Sequence, residues 1–269
     1  MLKDITFGQY FNASSVIHRL DPRTKLVLLI VSIVFLFVTK NMFGLALFGA
    51  FILAIMILST VPIKMFLKNI KAILPIVIFT ALLNLFYGTE GDVLYQVWKL
   101  TITTGSVYKA TYMALRIVLL ILLSSVLTYT TTPNDLTDAI EKLLSPLKFI
   151  GLKSAVHTLA MMMTIALRFI PTLVEETQKI MNAQKARGAD LENGKITERI
   201  RALIPILIPL LISSVRRAYE LAEAMECRCY NGGEGRQRMK QLRYSRLDVF
   251  AFIITAIIGA LVIIFNIIL

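Results

Sequence analysis

The chain has 269 residues, 57% of them hydrophobic, with a mean hydropathy of +0.72 and a formal net charge of +12. That apolar share lies beyond the range of soluble domains and excludes an ordinary water-soluble globular protein. The charge, with a pI near 9.8, would suit a nucleic-acid binder, but no such motif accompanies it, and a membrane protein with basic loops on one side carries the same charge without nucleic acid.

The opening MLKDITFGQY is too polar for the apolar centre of a signal peptide, so this segment is expected to stay on the mature protein. Asp21-Pro22 supplies an N-cap acceptor followed by proline at the first helical position, which predicts a helix running to about Lys40. Lys25, one turn in, is expected to snorkel to the membrane boundary. After the apolar run 26–38 come others at 43–59, 72–87, 117–127 and 249–269, all almost free of charge. None alternates with period two, and most reach spanning length with their flanking turns, so the spans should be helices rather than barrel strands. The expected fold class is all-α, a polytopic membrane protein with about five transmembrane helices. Its expected organisation is a four-helix membrane region over 1–131, a cytoplasmic helical region over 132–246 and a C-terminal span over 247–269.

The basic residues support an orientation. With the N-terminus inside, 25 of the 29 Lys and Arg fall on the inner side, against Lys40, Lys99 and Lys109 outside and Arg116 within a span. Positive charge in short loops marks the cytoplasmic face. The bilayer is thus one partner, and the cell membrane the expected location. Arg116 is the single basic residue within the spans; it is read as an anchor that bonds backbone carbonyls rather than as a transport residue.

Hydropathy alone would add two spans, 155–174 and 202–215. Making them a hairpin would export Lys179, Lys185, Arg187, Lys195, Arg199 and Arg201, and the second run has 14 residues with Pro205 and Pro209 inside it. Both helices become amphipathic further on: Leu173, Thr177, Ile180 and Gln184 lie opposite Glu175, Glu176, Lys179 and Asn182, while Leu207, Leu211, Ala218 and Met225 lie opposite Arg216, Glu220 and Glu223. They are expected to be cytoplasmic. Arg168 with Glu175, beside Pro171, suggests a charged network at a kink or hinge.

Both helices end alike, in Ala186-Arg187-Gly188 and in Cys227-Arg228-Cys229, 41 positions apart. A cation in the last turn and a glycine past it are ordinary helix-ending chemistry. The small-Arg-small pattern at two ends is not covered by that account: small neighbours leave a planar guanidinium unobstructed for bidentate contact with a carboxylate. Other constellations are weaker. The glycine-rich 231–236 segment lacks the Gly-Lys-Ser/Thr ending and the preceding strand of a phosphate loop. Asp135 and Asp138 fit helix capping better than a metal pair, and Cys227 and Cys229 have only the remote His18 and His157 as imidazole partners, so no metal or other cofactor is expected.

Taken together, Asp21-Pro22-Arg23-Thr24-Lys25, Thr131-Thr132-Pro133, Leu167-Arg168-Phe169-Ile170-Pro171, Ala183-Gln184-Lys185-Ala186-Arg187-Gly188 and the second arginine motif resemble the transmembrane coupling subunit of energy-coupling factor transporters, the EcfT family. The resemblance covers most of the chain. It implies that 132–246 is a block of long coupling helices on which two cytoplasmic ABC-type ATPase subunits dock, Arg187 and Arg228 each entering a groove on one of them. It further implies a small substrate-binding membrane subunit for a vitamin or metal ion, and no catalysis by this chain itself. The second motif departs from the family's usual Ala-Arg-Gly, so its helix is expected to cap later, at Gly232 or Gly233. The rival readings are a stand-alone carrier or channel, which calls for paired mid-membrane charges, and a membrane-embedded transferase, which calls for a polar catalytic cluster.

Overall fold

The structure, a computed structural model, describes residues 9–87, 92–97, 100–146, 153–189, 196–232 and 242–268. Two compact units divide the chain: Gly8–Ala139 joined by Gln241–Leu269, and Ile140–Lys240.

The first unit is a helical bundle. A short α1 (Val16–Arg19) precedes α2 (Pro22–Val38), α3 (Met42–Leu58), α4 (Ile63–Tyr87) and α5 (Thr104–Thr130), and α9 (Arg246–Ile268) joins them from the far end of the sequence. The helix α2 begins as expected, with Asp21 accepting from the Arg23 amide and Pro22 at the first position; Thr39 ends it. The core comprises Leu36 from α2, Leu45, Phe48 and Ile52 from α3, Phe66 from α4, Leu122, Val126 and Tyr129 from α5 and Val262 from α9. Lipid offers no hydrophobic drive for helices to associate, so close backbone approach matters more. Gly259 provides it: a Cβ there would sit 2.2 Å from the Phe35 ring of α2.

Between α4 and α5 lies a two-stranded antiparallel hairpin, β1 (Val93–Val97) with β2 (Leu100–Thr103), the exception to an all-α architecture among the described residues. The sequence reading missed it, because nine residues of pairing carry no hydropathy signal against two flanking spans.

Polar groups tie this unit together at helix ends. The Asp248 carboxylate accepts the Ser245 amide at 2.6 Å, closing a capping box at the start of α9, and with its other oxygen accepts the Asp21 amide at 2.9 Å. Lys25 corrects the expectation of snorkelling: it is buried, and its amine donates to the buried Thr130 carbonyl at 2.8 Å, neutralising the dipole end of α5. His18 binds on both ring nitrogens, to Ser15 Oγ at 2.7 Å and the Phe11 carbonyl at 2.9 Å.

The helix α6 (Pro133–Leu143) leads out of the bundle; the Thr132 hydroxyl caps it, accepting the Asp135 amide and donating to the Asp135 carboxylate, so this acidic residue serves a helix start. The second unit then contains α7 (Lys153–Ala186) and α8 (Ile196–Cys227). Among the described residues five helices are long and apolar enough to cross a membrane: Ile63–Phe86, Thr104–Thr130, Ala155–Ala186, Arg201–Cys227 and Arg246–Ile267. The number matches the expectation; the membership does not. Helices α2 and α3, with 17 residues each, are about 26 Å long against a hydrocarbon core of about 30 Å. The helices α7 and α8 qualify because Pro171, Pro205 and Pro209 sit inside continuous helices instead of breaking them.

Candidate functional site

The second unit is an antiparallel helix pair. Glu176 of α7 accepts from Arg217 Nη2 of α8 at 2.7 Å and also from the Ser213 hydroxyl. Further along, the Tyr230 hydroxyl donates to Met161 Sδ at 2.8 Å. Moving back along α7 from 176 to 161 therefore moves forward along α8 from 213–217 to 230. Arg187 and Arg228 consequently lie at opposite ends of the pair, about 40 Å apart at 1.5 Å per residue.

The two ends are built alike. In α7 the Gly188 amide donates to the Lys185 carbonyl at 3.0 Å and the Ala189 amide to the Gln184 carbonyl at 3.0 Å, around Gly188 at φ +87°. In α8 the Cys229 amide donates to the Glu226 carbonyl at 2.8 Å and the Tyr230 amide to the Met225 carbonyl at 3.0 Å, around Cys229 at φ +52°. Each is a Schellman motif with the arginine at the last cap position and the next residue left-handed. The expected later cap at Gly232 is therefore corrected: the helix closes on Cys229, in the same register as Gly188, because the paired 5→2 and 6→1 bonds outweigh the cost of a left-handed cysteine. Gly233, the other expected position, lies outside the described residues.

Ala186, Arg187 and Gly188 are all exposed, as are Cys227, Arg228 and Cys229. No described residue pairs with either guanidinium. Each projects beside a left-handed turn, at the negative end of a helix dipole that holds it locally, with its five donors open to an incoming carboxylate or carbonyl.

A family model described as CbiQ, cobalt transport protein, matches residues 13–240. Proteins named energy-coupling factor transporter transmembrane protein EcfT match nearly end to end. That of Ruminiclostridium cellulolyticum is 51% identical over 257 residues, 96% of this chain and 95% of the relative. The Thermosediminibacter oceani protein is 49% identical over 258 residues, 96% of each, and the Bacillus subtilis protein 42% over 261 residues, 97% of this chain and 98% of the relative. The chain belongs to the EcfT family. This EcfT-family chain is thus a multi-pass membrane subunit of an energy-coupling factor transporter, working in a complex with other components.

The remaining predicted residues fall out as follows. Arg168 and Glu175 are both exposed and no salt bridge joins them; the carboxylate that pairs is Glu176, which the helical period had assigned to the water-facing side. Glu176 turns toward α8 because Arg217 and Ser213 await it there, a pairing across 41 and 37 positions that no single-helix period reveals. Pro171 lies within α7, without the amide that would bond back to Leu167. Arg116 in the EcfT-family bundle donates to the Thr39 carbonyl at 2.6 Å and to the Tyr112 hydroxyl, with its guanidinium 4.6 Å from the Tyr112 ring centre. It caps the end of α2.

Proposed function

We propose that this chain is the non-catalytic coupling element of the transporter: the α7–α8 pair receives movement from two cytoplasmic ABC-type ATPases at Arg187 and Arg228 and passes it to a small substrate-binding membrane subunit that takes up a vitamin or metal ion. The observation that carries the reading is the matched geometry of the two arginine ends. Two like ends about 40 Å apart suit two ATPase subunits of one kind of fold, each meeting one arginine. ATP hydrolysis then belongs to those partners.

The antiparallel pairing bears on orientation. Were α7 and α8 to cross the bilayer, Arg187 and Arg228 would emerge on opposite faces, since about 40 Å exceeds the hydrocarbon core. Both meet cytoplasmic partners only if the pair lies along the inner surface, as its amphipathic character permits. This orientation puts the N-terminus and the 132–246 region inside, as the loop charges favour. The Glu176 clamp on Arg217 and Ser213 would keep the two helices moving as one lever.

The test is replacement of each arginine by glutamate. Arg187→Glu and Arg228→Glu should each weaken ATPase co-purification and abolish uptake; normal uptake by the double variant sinks the proposal. A tag near Asn193 should be accessible only from the cytoplasm. A lone chain that transports or turns over substrate without ATPases would favour a carrier or a transferase instead.

A further inference from the structure

An apolar crevice opens within the first unit. Its volume is about 440 Å³, and its walls come from α1, α2, α3, α5 and α9. The wall segments are 25–32 of α2, 51–58 of α3, 123–130 of α5 and 247–255 of α9, which are the start of α2, the end of α3, the end of α5 and the start of α9. All four are at the same end of the bundle. Eight or nine residues span about 12–13 Å of depth, so the crevice occupies most of one leaflet's share of an approximately 30 Å core.

The polar groups in the wall present little to an occupant. Thr130 donates to the Val126 carbonyl at 2.8 Å, Thr255 to the Ala251 carbonyl at 2.9 Å, and Lys25 to the Thr130 carbonyl at 2.8 Å. Apart from Ser32, the rest of the lining is hydrocarbon. Arginines adjoin the wall: Arg19 precedes the wall residue Leu20, Arg246 precedes Leu247, and both are exposed with no partner among the described residues.

We infer that this crevice holds one acyl chain of an anionic phospholipid whose headgroup rests against Arg19 and Arg246. A thin, flexible hydrocarbon matches the depth and volume, and a phosphate matches two free guanidinium groups at the rim. The leaflet is the one that the start of α2 faces; the site does not depend on the ATPase reading.

The full-length protein would be reconstituted into vesicles of phosphatidylcholine with one quarter phosphatidylglycerol, extracted in mild detergent and examined by native mass spectrometry. The expected result is one retained phosphatidylglycerol per chain. Ala251→Phe and Ala54→Phe fill the crevice from α9 and from α3, and either folded variant should lose the lipid. Arg19→Gln with Arg246→Gln should keep a lipid but reduce the preference for phosphatidylglycerol by about fivefold or more. Absence of a retained lipid in the unaltered protein overturns the inference, as does full retention in a folded crevice-filling variant or indifference to the two arginines. Cross-linking of a cysteine at position 54 or 251 to a partner subunit in the intact complex overturns it too, by naming a protein occupant.

Discussion

Replacing Cys229 by glycine should make α8 end more firmly, although it removes a side chain. Cys229 holds the left-handed position at φ +52° that Gly188 fills in α7. A left-handed L-residue is strained by about 1–2 kcal/mol, and glycine gives back about 0.5–1 kcal/mol through the freedom of its unfolded state. The net gain is about 0.5–1 kcal/mol, a factor of about two to five in the opening of the cap. Gly188→Ala should lose a similar amount; a Cβ at Gly188 would meet nothing within 4 Å, so the conformation alone sets the cost. Hydrogen exchange on the detergent-purified chain reads both, at the amides of Cys229 and Tyr230 in one variant and of Gly188's position and Ala189 in the other. Slower exchange in Cys229→Gly and faster exchange in Gly188→Ala are expected. Unchanged or faster exchange at Tyr230 in Cys229→Gly would refute the assignment of the cap.

Three further outcomes follow from the bonds described. Asp248→Ala strands two backbone amides and should cost about 3 kcal/mol, seen as a lower thermal midpoint in detergent; Asp248→Asn should lose less, and an unchanged midpoint in the alanine variant would contradict the double cap. Glu176→Ala and Arg217→Ala in a double-mutant cycle should couple by about 0.5–1 kcal/mol, since the pair is part-exposed; uptake should fall while ATPase co-purification persists. Burial, the largest influence, lowers the pKa of His18 from its ordinary 6.5, against the raising effect of the Phe11 carbonyl. Its neutral form is therefore favoured by folding: the contribution is complete above pH 6.5 and lost as pH falls from there through the folded value. His18→Gln should flatten the stability profile between pH 7.5 and 5.5, and an unaltered slope would count against it.

What could be read from residues alone was chiefly local. Asp21-Pro22 announced the start of α2 because capping and proline geometry act within a few positions. Gly188 announced the end of α7 for the same reason. The end of α8 was misjudged because glycine was taken as necessary at the left-handed position, whereas two cap hydrogen bonds hold a cysteine there. Lys25 was assigned to water by its charge; its acceptor, the Thr130 carbonyl, is 105 positions away. Ser245-x-x-Asp248 went unread in the sequence, and the second amide that Asp248 accepts, that of Asp21, is 227 positions away. The outward look of Glu176 came from treating α7 as a solitary helix. For Lys25, Asp248 and Glu176 the missing information was a tertiary partner, which periodicity does not contain.

The double cap at Asp248 also sets an order of events in synthesis. The Asp21 amide receives its acceptor from a residue 227 positions later, after the whole α7–α8 pair has been made. At 5–20 residues per second, the roughly hundred residues after α6 take on the order of 5–20 s, during which the earlier helices have left the ribosome but the start of α2 lacks its partner. The first-made part of the bundle is completed last, and it is the arrival of α9 that closes it.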